Sequence, residues 1–385
     1  MSKVLKSNEQ WVNDTWEKID RKLRNVCIRS REKLPYTSIN GVHDNKAETH
    51  VSCWTNGFWG GLMWLMYLGT QNEEYKTTAI RAEELLDKAL EDYKRLHHDV
   101  GFMWHLTSVA HYRITGDRAA CNKALFLAAT LFSRFNIDGG YIRAWNKWNE
   151  ADANRTWSII DCLMNIPLLY WASGEVEDDR FAKVAMHHAD MAIRDHIRPD
   201  GSVNHIVAHN EKTGELVEVH AGQGYSENSS WSRGVAWALY GMVLSYIHTK
   251  QTRYLEAAIL AADHFVDNCK KNNYLAVVDF YGPEKPLYYD ATAGVCAACG
   301  LIEIAKCVEE ERGEYYMDAA LKILQATDKH FCDYTDDEDA LVLMGSERYP
   351  HDERGFKGLH IPIIYGDFFF VEALLKLKGV DFLIW

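Results

Sequence analysis

Apolar positions recur along this chain at helical spacing, and they do so in two alternating kinds of segment. One kind is amphipathic, an apolar stripe on a charge-rich helix, at roughly 8–29, 74–94, 117–135, 178–196, 252–270 and 314–331. The other is apolar on most faces, at roughly 57–69, 101–114, 157–173, 231–248, 290–308 and 365–378. A helix that is apolar all round must be enclosed, whereas an amphipathic one covers its neighbours from outside. Links from an apolar helix to the next amphipathic one are short and carry turn residues, as in Thr115-Gly116-Asp117 and Ser173-Gly174-Glu175. The opposite links are long. This alternation predicts an all-α (α/α)6 barrel in one domain, 1–385, an inner ring of six helices inside an outer ring of six. The long loops at 30–56, 136–156, 197–230, 271–289 and 332–364 then share one face and should build the active site. Short strands are expected at Gly201–Val207 and Leu216–Val219, around the turn Asn210–Gly214.

Asp161 breaks the pattern of the third apolar segment, being the only charged residue between Arg155 and Glu175. A carboxylate placed there must be paired, hydrogen-bonded, or shifted in pKa until it keeps its proton. The first two outcomes describe a structural Asp, and the third a general acid. A second acid, Asp99 of His97-His98-Asp99, stands at the N-cap position of the second apolar helix. Since the N-terminal ends of the inner helices face the long loops, Asp99 and Asp161 are expected close together, with Asp161 one turn deeper into its helix. Like charges at short range separate in pKa, and such a pair divides acid and base roles. His97 and His98 are metal-ligand types, but no third ligand follows at a matching spacing, so neither metal nor cofactor is expected.

Aromatic residues (13 Trp, 20 Tyr, 14 Phe) make up 12% of the chain, more than packing alone requires. Trp54, Trp145, Trp148, Trp231 and Trp237 fall on loops or at the starts of inner helices, where flat faces suit sugar rings. The run from Gln223 to Arg233 adds amide, hydroxyl and guanidinium donors that could cradle hydroxyls and a carboxylate; plain N-capping is the alternative. A net charge of −13 argues against nucleic acid and anionic membranes as partners. Nine Cys without zinc-type spacing read as reduced core thiols, the N-terminus has no apolar leader, and a cytoplasmic monomer or homodimer is expected.

In order along the chain, Trp54-Thr-Asn-Gly-Phe-Trp59, His97-His98-Asp99-x-Gly101-Phe102, Ile160-Asp161-Cys-Leu-x-Asn165, Gln223-Gly224, Trp231-x-Arg233-Gly-x-Ala-Trp237 and Gly366-Asp367 resemble the unsaturated glucuronyl hydrolases, glycoside hydrolase family 88. The resemblance implies an (α/α)6 barrel and release of a 4,5-unsaturated uronic acid from the non-reducing end of polysaccharide-lyase products. It implies hydration of the C4=C5 vinyl ether, with Asp161 as general acid and base and Asp99 holding the water and ring. Trp54, His98, Trp145, His205, Gln223, Trp231, Arg233 and Trp237 would line the unsaturated sugar. Some neighbours depart from the family pattern: Val235, Val203-Asn-His205-Ile-Val207 and Tyr288-Tyr289-Asp290. The element that relatives use for sulfated substrates, Ser-x-x-Ser-x-Lys, aligns with Asp352, Gly355 and Lys357, keeping only the Lys, although Arg354 and His360 could compensate. The alternatives are a family 105 type of unsaturated rhamnogalacturonyl hydrolase on the same barrel and an oligosaccharide-binding protein without turnover. Retention of both Asp99 and Asp161 speaks against the last.

Overall fold

The computed structural model of the chain describes residues 2–146, 154–351 and 356–385. In chain order its principal helices are α1 (Glu9–Arg29), α2 (Asn56–Thr70), α3 (Glu73–Leu86), α4 (Val100–Trp104 and Ala110–Thr115 joined by a π-helical His105–Val109), α5 (Arg118–Phe132), α6 (Pro167–Val176), α7 (Arg180–Asp195), α8 (Ser232–Thr249), α9 (Thr252–Lys270), α10 (Ala291–Cys307), α11 (Glu310–Phe331) and α12 (Ile364–Leu377). Even-numbered helices form the inner ring. Each touches the next, α2 to α4 to α6 to α8 to α10 to α12, and α12 returns to α2, so the ring closes. The (α/α)6 barrel expected from the hydropathy pattern is the observed fold.

The inner ring is tight because glycines stand where its helices cross. A Cβ on Gly57 of α2 would lie 2.2 Å from the carbonyl oxygen of Phe102 in α4, and one on Gly300 of α10 would lie 2.4 Å from Leu239 in α8. One cluster of charges inside the ring is paired: Lys376 of α12 reaches Glu303 at 2.5 Å and Glu372 at 3.3 Å, all three buried. Paired in this way, the buried charges escape the full desolvation cost of isolated ions.

The third inner segment differs from expectation. Rather than one helix over 157–173, Trp157–Ile159 is a strand, Ile160–Met164 a 3-10 turn, and only Pro167–Val176 is α-helical. Pro167 occupies the first helical turn, where its missing N–H is no loss. The strand pairs antiparallel with Ile206–His209, which pairs in turn with Leu216–His220. Asp161 therefore sits in the turn before α6, not one turn inside it. Backbone pairing with a strand some fifty residues away has no signature in local periodicity, which is why the sequence reads as continuous helix.

Gly57→Ala should destabilise the fold by about 1–3 kcal/mol or more, because the new methyl group meets backbone that cannot rotate away. A thermal or urea melt checks this, and an unchanged melt would show that α2 and α4 have room to separate.

Candidate active site

Both acids lie at the end of the barrel that receives the long loops. Asp99 is the N-cap residue of α4, yet its side chain makes no capping hydrogen bond. Its carboxylate instead turns toward side chains. Oδ1 accepts from Nδ2 of Asn165 at 2.9 Å, while Oδ2 lies 3.1 Å from His97 Nδ1 and 3.4 Å from His98 Nε2. Burial alone would raise its pKa, but His98 and His97 outweigh burial and hold it well below the usual carboxylate range. These contacts favour the ionised form of Asp99. The three groups His97, His98 and Asp99 bring ligand-type atoms within 4.8 Å of one another, a convergence that sequence spacing did not reveal, with both imidazoles directed at the same oxygen of Asp99.

Asp161 is the opposite case. Its side chain is 16% exposed, and its Oδ1 is buried without a hydrogen-bond partner among the described residues. Burial first, and the negative charge of Asp99 second, push its pKa up to about 7 against a smaller pull from Arg233. One other described carboxyl, Asp367 in α12, is also raised to about 7 by burial. Asp367 has both oxygens filled, by the backbone N–H groups of Val342 at 2.8 Å and Leu341 at 2.9 Å, so it is a structural clip. Among the described residues, Asp161 alone combines a raised carboxyl pKa with an open oxygen.

Asn165 joins the two acids. Its Nδ2 donates to Asp99 Oδ1 at 2.9 Å and more weakly to the Asp161 carbonyl at 3.3 Å, and its Oδ1 accepts the Phe102 N–H at 2.7 Å. The residue was visible in the sequence only as part of a motif, four positions after Asp161.

Around the acids the structure assembles part of the expected sugar-binding set. Trp54 is half-buried, stacked on Tyr365 at 5.2 Å and tilted against Phe102 at 5.3 Å. With Tyr36, Gln223, Glu347, Arg348, Phe356 and Tyr365 it lines a cavity of about 380 Å³. His205 packs on Trp231 at 4.2 Å and approaches Asp161 Oδ1 at 3.7 Å. Trp237 is fully buried against Phe102 and Phe369 and offers no open face. Trp145 is half-buried on Trp157, at the edge of the three-stranded sheet. His98 is enclosed behind Asp99, where it faces the carboxylate and not the cavity. Lys357 is exposed and is not among the cavity-lining residues. Trp148, Asp352, Arg354 and Gly355 lie outside the described residues. Neither acid is itself among the residues lining the cavity of about 380 Å³; Trp54, packed on Phe102 of the helix that Asp99 opens, ties its wall to them. Depressions of similar or larger size exist elsewhere, one of about 450 Å³ at the far end of α4, α6 and α8.

Arg233 differs from the expected cradle. Its guanidinium is buried and committed to Asp290, to the Ser346 carbonyl at 2.7 Å and to the Glu347 carbonyl at 2.7 Å, with its Cζ 4.7 Å from the Trp231 ring. Arg233 thus anchors the 346–347 loop and supplies positive charge through space. Two further carboxylates organise the site without touching the acids. Asp290 pairs with Arg233, and Asp279 gathers the N–H groups of Tyr225, Ser230 and Tyr281 and the Ser229 hydroxyl, fixing the loop between Gln223 and Trp231. Asp279 is a lone acid in a short apolar loop run, a signal of the kind that marked Asp161 and that could have found it.

Residues 27–270 match the model of Glycosyl Hydrolase Family 88. The chain is 33% identical to the unsaturated glucuronyl hydrolase of Bacillus sp. (strain GL1), over 84% of this chain and 86% of that protein. It is 30% identical to the unsaturated chondroitin disaccharide hydrolase of Streptococcus pyogenes serotype M1, over 84% of this chain and 80% of that one. The crystal structure of the Bacillus sp. GL1 unsaturated glucuronyl hydrolase superposes with a TM-score of 0.86 at 31% identity, covering 94% of this chain and 96% of that one. A family match across most of the chain, a shared barrel and two acids at the expected end lead to one conclusion: this chain belongs to Glycosyl Hydrolase Family 88.

Proposed function

We propose that this chain is an unsaturated glucuronyl hydrolase that removes a 4,5-unsaturated uronic acid from the non-reducing end of glycosaminoglycan-derived disaccharides. The observation that carries the reading is the inequality of the two acids. Asp161 has a buried, unpartnered oxygen and a pKa pushed up to about 7 by burial and by Asp99, whereas Asp99 accepts from Asn165, faces His97 and His98, and is held well below the usual carboxylate range. Hydration of a vinyl ether needs that combination. Asp161 gives its proton to C4, and positive charge develops at C5 and the ring oxygen. A fixed anion beside a cation of this kind stabilises it without reorganisation, which is the part assigned to Asp99. Water then adds at C5 and returns a proton to the Asp161 carboxylate. The resulting hemiketal opens and the aglycone leaves. The relatives named for unsaturated glucuronyl and chondroitin disaccharide substrates support this choice of substrate class, as does the aromatic cavity around Trp54 and Tyr365. The nine unpaired thiols accord with a reducing, cytoplasmic setting.

Asp161→Asn should lower turnover at least about 10³-fold, measured as loss of the vinylic absorbance of an unsaturated chondroitin disaccharide. Retained activity would remove Asp161 from the reaction. In the wild type kcat/KM should fall above pH about 7, as the acid loses its proton. Asp99→Asn should lower turnover about 10²-fold and move that limb to lower pH, since removing the anion makes Asp161 easier to ionise.

The same shift bears on stability. The folded pKa of Asp161 lies above its ordinary value of 3.8, so the native state is penalised once pH exceeds that value, and fully so above about 7. Asp161→Asn should therefore stabilise the fold by up to about 4 kcal/mol at pH 8 and by almost nothing at pH 4. Melts of both proteins at the two pH values check this, and equal shifts at both would contradict a buried, unpaired carboxyl.

A further inference from the structure

We infer that His205 is a positioning residue for Asp161: its ring is held as the Nε2–H tautomer, and that N–H, aimed at Asp161 Oδ1, keeps the transferable proton on Oδ2. This rests on Asp161 being the acid. The tautomer follows from a backbone amide. His205 Nδ1 lies 2.8 Å from the Gln223 backbone nitrogen and 3.3 Å from the Ala221 carbonyl oxygen. An amide N–H can only donate, so Nδ1 must offer its lone pair; a proton there would set two hydrogens face to face at the shorter contact. The Ala221 carbonyl is then a neighbour and not an acceptor.

This contact exists because of Gly222. The residue has φ +57°, and a Cβ on it would lie 2.1 Å from His205 Nδ1, so only glycine lets the chain pass close enough to present the Gln223 amide. Asp279 fixes the downstream part of the same loop, and Trp231 covers one side of the imidazole at 4.2 Å. Burial, with Arg233 and His196 adding to it, pushes the His205 pKa down to about 3, so the ring is neutral. A neutral imidazole whose Nδ1 accepts must carry its hydrogen on Nε2.

That nitrogen faces Asp161 Oδ1 at 3.7 Å, and Oδ1 has no hydrogen-bond partner among the described residues. The gap is too short for an intervening water and long for a hydrogen bond, a looseness common before substrate closes a site. A protonated carboxyl has one hydroxyl and one carbonyl oxygen. With a donor opposite Oδ1, the carbonyl oxygen belongs there and the hydroxyl is Oδ2. Protonating carbon demands a proton aimed at one atom, so an acid that could hold its proton on either oxygen would spend part of its time misdirected. After transfer, the same N–H stabilises the carboxylate. The charged groups facing the pair are Asp99 and Arg233, and His196, also buried beside His205, has its pKa pushed down to about 4.

The first test uses the wild-type protein labelled with ¹⁵N-histidine, the His205 signals being identified by their absence in His205→Gln. The expected result at pH 7 is a protonated Nε2 and a bare Nδ1. A protonated Nδ1 or a charged ring overturns the assignment, whatever the activity. The second compares pH profiles on an unsaturated disaccharide. His205→Leu should lower kcat and raise the basic limb by about one pH unit, because the carboxylate loses its donor. His205→Gln, which restores an N–H, should bring the limb back most of the way. A loss confined to KM, with the limb unmoved, would make His205 a substrate contact only. If Asp161→Asn proves active the parent reading fails, and the ¹⁵N experiment still decides the tautomer.

Discussion

The side-chain amide of Asn165 donates to Asp99 at 2.9 Å and to the Asp161 carbonyl at 3.3 Å, tying two acids of opposite character into one fixed relation. Asp99 receives hydrogen-bond donors from several directions, which favour its ionised form. Asp161 receives none on its buried oxygen, and its pKa is pushed up to about 7. Neither environment would matter alone. An isolated buried carboxyl is merely neutral, and an isolated ion pair is merely structural. Placed together, the anion raises the acid and then stands ready for the positive charge that protonating an alkene creates.

The barrel makes this arrangement affordable in stability terms by doing its packing elsewhere. Inner helices close at glycine crossings such as Gly57 on Phe102, and one cluster of charges within the ring is paired, Lys376 with Glu303 and Glu372. The site itself is assembled from what is not regular helix. Asp161 lies in a 3-10 turn, between a strand that pairs with Ile206–His209 and a helix that opens on Pro167. Two loops are then clamped by carboxylates that never approach the chemistry: Asp279 holds the stretch from Gln223 to Trp231, and Asp290 holds Arg233 against the 346–347 backbone. Rigid anchoring of this kind is what a proton transfer to carbon requires.

The helix count, the two-ring order and the face that bears the site were legible because hydropathic period is a local property. Asp161 was legible for the same reason, as one charge in a long apolar run. What escaped the sequence depends on partners far along the chain. The break before Pro167 arises from strand pairing, the N-cap position of Asp99 conceals its turn toward His97 and His98, and Arg233 is spoken for by Asp290 fifty-seven positions later. Asn165 stood in the sequence only as a motif position and Asp279 only as one acid in a short apolar loop run, neither with a role attached. Their roles come from geometry that exists only once the ring has closed. Trp237 shows the converse, a residue suited by type to stacking on sugar that the closed ring buried completely.

The central claim is that Asp161 is a neutral acid when the enzyme works. A difference infrared titration of the wild type against Asp161→Asn, read at the carbonyl stretch of protonated carboxyls, observes that proton without reference to turnover. The account requires a band present in the wild type and missing from the variant that fades with a midpoint near pH 7. A wild-type protein in which that band has already gone by pH 5 would contradict it.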